Sequence, residues 1–193
     1  MEYQAHSLGL LALGANLPTS AGNPSDSLRI ALQQLTRDGV QLRGVSRFWK
    51  TPAFPAGSGP DYINAAAVVA TSLPPRELLD WLHLIEAGLG RKRDGGRWQA
   101  RGIDIDLIAY DGMILPDLAT QDSWRNLPPE RQLREAPDQL ILPHPRMQER
   151  GFVLAPLAEV APLWRHPIIG ANVQEMLAAL PSASLEGMQL VEA

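Results

Sequence analysis

The chain has 193 residues, 45% hydrophobic and 20% charged, with no cysteine. That is enough polypeptide for one compact domain, and it excludes disulfides, thiolate metal sites and a cysteine nucleophile. Seventeen basic residues against 21 acidic ones leave a net charge of −4, which argues against a general nucleic-acid binder. A mean hydropathy of −0.11, and an N-terminal apolar run far below the roughly 20 residues a bilayer requires, lead us to expect a soluble, cytoplasmic protein without a signal segment.

In chain order, Leu8–Leu13 ending in Gly14 reads as a short buried strand. Asn23-Pro24 with Asp26 has the form of a helix start, Leu28, Ala31, Leu32 and Leu35 recur at helical spacing, and Gly39 supplies the stop. Val40–Phe48 predicts a strand. Pro52, Pro55, Pro60, Gly57 and Gly59 make residues 51–60 a long loop. Tyr62–Thr71 predicts a second strand able to pair with the previous one. A helix follows from about Pro74 to Leu89, with Leu78, Leu79, Leu82 and Ile85 on one face. After a basic loop, Ile103–Tyr110 alternates apolar and acidic residues as a strand does. The order βαββαβ is the ferredoxin-like pattern of an α+β fold, an antiparallel sheet with helices on one face. Residues 116–143 carry five prolines and read as an irregular insertion at about 113–139 within a single domain at 1–193. From His144 to about Leu180 the chain looks helical in pieces, with Asn172 capping the last helix.

The strongest chemical signal is Ile103-Asp104-Ile105-Asp106-Leu107. On a strand the two aspartates share a face about 7 Å apart at Cα. Such carboxylates can converge on a hard cation, and an all-oxygen set without cysteine favours Mg²⁺ over zinc. The alternative is a solvated polar face of an edge strand. Immediately upstream, residues 91–101 hold five basic residues and one aspartate, a local +4 that leaves −8 on the rest of the chain. Arginine forks bind phosphate oxygens, and Gly95-Gly96 offers a hinge. A solvated loop without a ligand is the alternative, but loop and aspartates together suit a metal-bound polyphosphate and phosphoryl-type transfer. There is no Walker A sequence, Gly88-Leu89-Gly90 does not continue as a dinucleotide fingerprint, and His6, His83, His144 and His166 lack metal-ligand spacing.

Several segments together resemble the 6-hydroxymethyl-7,8-dihydropterin pyrophosphokinases of folate biosynthesis. They are Leu13-Gly14-Ala15-Asn16-Leu17, Thr51-Pro52, Asp61 to Ala66, Gly90-Arg91 to Arg97-Trp98, Arg101-Gly102-Ile103-Asp104-Ile105-Asp106, Leu142-Pro143-His144-Pro145-Arg146-Met147, Arg150 to Leu154, and Pro156 to Pro162. The resemblance implies a magnesium-dependent enzyme that transfers diphosphate from ATP to the pterin hydroxymethyl group and releases AMP. By the same resemblance Asp104 and Asp106 hold two Mg²⁺ ions and, with Arg91 and Arg101, form the catalytic set. Arg93 and Trp98 belong to a closing loop, His144 and Arg150 meet the nucleotide phosphates, and Glu86 lies near the nucleotide pocket. Tyr62 and Phe152 stack on the pterin, Asn64 reads its amide edge, and backbone groups near Thr51 and Phe54 complete its recognition. The implied partners are these two small molecules, with no nucleic acid and no membrane, and a monomer is favoured. Gln99-Ala100 and Gly102 replace the Gly-Pro and Thr usual around the key arginine, and Ala15 stands where serine is frequent, which puts the rate of loop closure in doubt. The insertion is roughly twenty residues longer than in compact members, on the same resemblance, and reads as a surface elaboration, an oligomer contact or a lid. The rival from another class is a non-catalytic ferredoxin-like module for a nucleotide or RNA, whose basic charge would spread over the sheet rather than concentrate in one loop. A diverged relative that binds pterin without turning it over is a further alternative.

Overall fold

The structure is a computed structural model describing residues 6–53, 57, 59–91, 102–132 and 134–192. Its elements are β1 (Ser7–Ala15), α1 (Pro24–Leu35), β2 (Val40–Val45), β3 (Trp49–Thr51), β4 (Tyr62–Thr71), α2 (Pro75–Gly88), β5 (Asp104–Tyr110), α3 (Leu118–Arg125), α4 (Pro129–Gln132), α5 (Gly151–Val160), α6 (Val173–Ala178) and β6 (Gln189–Leu190). The strands form one antiparallel sheet in the order β5-β1-β4-β3-β6, with β2 also on β4. With β2 and β3 counted as one interrupted strand, this is the expected βαββαβ arrangement of an α+β fold.

The first helix forms as its sequence predicts. Asn23 Oδ1 accepts from Asp26 N at 3.1 Å, the Asp26 carboxylate accepts from Asn23 N at 3.2 Å, and Pro24 opens the helix. Gly39 is not its stop: the helix ends at Leu35, and Gly39, at φ +81°, forms the tight turn that starts β2. The strand expected over Val40–Phe48 is broken. A bulge at Arg43 shifts its register on β4, and Arg47 N then leaves the ladder to donate to a Glu159 carboxylate oxygen at 2.9 Å.

Helices cover both faces of the sheet rather than one. Leu11, Leu13, Ala65, Val69, Ile105 and Leu107 pack with α1 and α2, while Leu10, Ala66, Val68 and Ile108 pack with Val153, Leu154 and Leu157 of α5 and Val173 and Met176 of α6. This is why β4 is a run of small and β-branched residues buried from Asn64 to Thr71, without polar alternation. Part of the stretch expected to be irregular is ordered as α3. Asp117 caps it by accepting from Thr120 N at 2.9 Å and from Thr120 Oγ1 at 2.8 Å, a local signal masked by the surrounding prolines. Asn172 does cap α6, in a reciprocal box with Glu175. Among the described residues no helix is long and apolar enough to cross a membrane.

Candidate active site

Strand pairing sets the geometry of the site. Asp104 lies opposite Gly14, and Gly14 lies opposite Asn64, so these three residues form one row across β5, β1 and β4. The next row is Asp106, Ala12 and Ala66. Neighbouring strands are about 4.8 Å apart, which puts Asp104 and Asn64 about 10 Å apart at Cα with a glycine between them. Alternation along each strand directs Asp104, Asp106, Gly14, Asn64 and Tyr62 to the face that carries α5. The carboxylates and the amide therefore flank a floor of glycine and alanine.

Gly14 continues β1 rather than ending it. A Cβ there would come within 2.8 Å of Asn64 Oδ1, so the glycine makes room for the amide. Asn64 is 6% exposed and donates from Nδ2 to Thr51 Oγ1 at 2.8 Å. Thr51 is buried too, and half-buried Tyr62 is its cross-strand partner. The predicted pterin residues Thr51, Tyr62 and Asn64 are thus adjacent on the sheet. Phe152 is half-buried in the first turn of α5, the helix packed on this face, and Arg150 Cζ lies 5.7 Å from the Phe152 ring centroid.

At the other end, Arg91 is ion-paired with both Glu86 and Asp104. Glu86 is 1% exposed and its Oε1 also accepts from Ile105 N at 2.7 Å, tying the end of α2 to the start of β5. Glu86 and Arg91 also line an open depression with Asp80, His83, Leu84 and Ala87. His144 is brought alongside through its own N–H, which donates to the carbonyl of Ile108, the bulged residue of β5, at 2.7 Å. Burial, then the nearby Arg150 and Arg146 charges, push the His144 pKa down to about 3, against an opposing pull from Asp104. Its Nδ1 accepts from Arg146 N at 3.1 Å, so the neutral ring carries its proton on Nε2 and presents a donor. Burial, then Arg150, also lower the Arg146 pKa. Carboxylates, guanidiniums and a neutral imidazole share one end of the floor. Arg93, Trp98, Arg101 and Phe54 lie outside the described residues.

A family model, 7,8-dihydro-6-hydroxymethylpterin-pyrophosphokinase (HPPK), matches residues 10–162. The chain belongs to this family. It is similar to the 2-amino-4-hydroxy-6-hydroxymethyldihydropteridine pyrophosphokinase of Methylorubrum extorquens, 34% identical over 93% of this chain and 97% of that one. It is also similar to the enzyme of that name from Synechocystis, 35% identical over 87% and 73% of the two chains. Among solved structures, a Plasmodium falciparum HPPK-DHPS with pterin and p-hydroxybenzoate shares the fold at a TM-score of 0.64 and 14% identity, covering 92% of this chain. This chain spans 44% of the length of that structure. The general reaction of pyrophosphokinases of this family is ATP-dependent diphosphoryl transfer in folate biosynthesis, so the resemblance read from the sequence holds.

Among the described residues no group of three or more acidic or histidine side chains is placed to hold a metal ion. The two aspartates nevertheless fit magnesium, which keeps several waters and takes one or two carboxylates plus substrate phosphates. Two features of this pyrophosphokinase were not visible in the sequence. Arg146, within the segment from Leu142 to Met147, joins the cationic cluster with Arg150 beside His144. Glu159 of α5 accepts from Arg47 N, Nε and Nη2 at 2.9, 3.3 and 3.1 Å and from Trp49 Nε1 at 2.9 Å, binding α5 to the strand beside Asn64. Burial raises the Glu159 pKa, but these bonds and the Arg47 charge outweigh it and leave it lowered.

Proposed function

We propose that this chain is a magnesium-dependent pyrophosphokinase that transfers diphosphate from ATP to 6-hydroxymethyl-7,8-dihydropterin and releases AMP. The observation that carries the reading is the row Asp104-Gly14-Asn64: a metal-binding edge and an amide-recognition edge face the same floor across a residue without a side chain. Asn64 offers both a donor and an acceptor to the pterin amide edge, with its amide held by Thr51. Tyr62 and Phe152 supply flat faces for the ring, and backbone groups near Thr51 and Phe54 complete the recognition.

Asp104 and Asp106 would hold two Mg²⁺ ions, which when bound offset phosphate charge and polarise the transferred group. Arg91 orients Asp104 and, with Arg101 and Arg150, adds positive charge for the triphosphate. Neutral His144 donates from Nε2 to a phosphate oxygen, and Glu86 fixes the strand start and Arg91 beneath it. Arg93 and Trp98, outside the described residues, would on the family resemblance shield the nucleotide from water. The pterin hydroxyl oxygen bonds to the β-phosphorus as the bond from that phosphorus to the bridging oxygen of AMP breaks, and the hydroxyl proton leaves to solvent. Alignment and preorganised charge do the work, without a covalent enzyme intermediate.

Incubation with MgATP and 6-hydroxymethyl-7,8-dihydropterin should yield AMP and the pterin diphosphate in equal amounts. ADP would indicate an ordinary kinase, and no nucleotide product would indicate a binding protein.

A further inference from the structure

We infer that Gln121, in the long stretch after β5, is a positioning residue that holds His144 toward the nucleotide phosphates by clamping the peptide unit between Pro143 and His144. The inference rests on the nucleotide role proposed above for His144. Gln121 lies on α3 and is fully buried, unusual for a glutamine in a polar segment. Its Nε2 donates to the Pro143 carbonyl at 3.0 Å. The other end of the same peptide is the His144 N–H, which donates to Ile108 O at 2.7 Å. A planar peptide bonded at both ends has a fixed orientation, and it sets the direction in which the His144 side chain departs. One residue earlier, Leu142 exchanges both backbone hydrogen bonds with Leu115, at 2.9 and 3.1 Å. Consecutive backbone groups of residues 142–144 are thus anchored on β5 on one side and on the extra stretch on the other.

Proline has no N–H, so its carbonyl is the backbone polar group of buried Pro143 that needs a partner, and Gln121 supplies it. The stretch therefore supports the site from beneath. It accounts for a segment that sequence alone leaves without a role.

The test is Gln121→Met, which keeps the length and removes the donor, with Gln121→Glu as a second variant of the same shape. Folding is followed by the cooperativity of the thermal melt, and steady-state kinetics are measured for each substrate. Loss of one hydrogen bond predicts a rise in KM for ATP of roughly 3- to 10-fold, with KM for pterin unchanged. In a His144→Ala background, Gln121→Met should add less than about twofold, because the group it positions is gone. A folded Gln121 variant with an unchanged KM for ATP, beside an impaired His144→Ala, overturns the clamp alone. So does a Gln121 effect that multiplies in full on His144→Ala, since it would then act elsewhere. A His144→Ala enzyme with wild-type KM for ATP overturns the nucleotide role of His144 and the clamp with it.

Discussion

Replacing Gly14 with alanine adds one methyl group between the two edges of the site. The new Cβ would sit 2.8 Å from Asn64 Oδ1, against 3.4 Å or more in ordinary contacts, so one of them must move by about 0.6 Å. Asn64 has little room, because it is buried and its Nδ2 is committed to Thr51 at 2.8 Å. Two effects oppose each other. Alanine for glycine within a strand gains about 0.5–1 kcal/mol of backbone entropy. Breaking the Asn64–Thr51 bond and stranding a buried amide costs about 1–3 kcal/mol. The clash wins by about 1 kcal/mol, which lowers Tm by about 2–4 °C in a chain of this size. The displaced amide should raise KM for the pterin about tenfold and leave KM for ATP unchanged, read by initial rates of AMP release. In an Asn64→Ala background the space is restored, so Gly14→Ala should there raise Tm. Equal Tm changes in both backgrounds, or an unaltered pterin KM in the single variant, would refute the idea that Gly14 exists to seat Asn64.

Three further outcomes follow from the same structure. Asp106→Ala should lower kcat by at least about a thousandfold through loss of a metal ligand, with a near-unchanged melt; near wild-type AMP production would remove Asp106 from the metal site. Burial and then Arg125 lower the His166 pKa to about 4 from a usual 6.5, so the unfolded chain binds the extra proton in that window. His166 therefore contributes stability that is present above about pH 6.5 and is lost toward pH 4, by about 1.4 kcal/mol per unit, and His144 acts in the same direction down to about 3. Chemical denaturation at pH 7 and pH 5 should show this loss, and His166→Asn should reduce the difference between the two. Glu159→Ala should cost about 2 kcal/mol and lower Tm by about 4–8 °C, with a change in Trp49 emission, because it frees α5 from β3. An unchanged melt would make the Arg47–Glu159 pairing dispensable.

The core elements were legible wherever a local rule operates. The Asn23 and Asn172 boxes cap α1 and α6 because a capping box is set within four consecutive residues, and the Asp104/Asp106 alternation marks one face of β5 because strand side chains alternate. Length of turn and register were not legible. Gly39 reads as a helix stop until the turn Arg37–Val40 is seen, and the break between β2 and β3 depends on a carboxylate more than one hundred residues away. The second helical layer was equally hidden, because a run such as Ala65 to Ala70 shows that a strand is buried without showing what lies on each side.

By itself, the sequence determined the element order, the two carboxylates on one strand, the concentration of positive charge beside them, and enough ordered motifs to mark the family. Tertiary structure decided which of these residues lie together. Gly14 carries no chemistry of its own and becomes part of the site only because strand pairing puts Asp104 on one side of it and Asn64 on the other. Gln121 enters because the peptide between Pro143 and His144 is held by α3 and β5, both well before it in the chain. Caps and alternation are short-range and leave their pattern in neighbouring residues; cross-strand pairing and burial are long-range, and their partners are chosen only when the sheet closes.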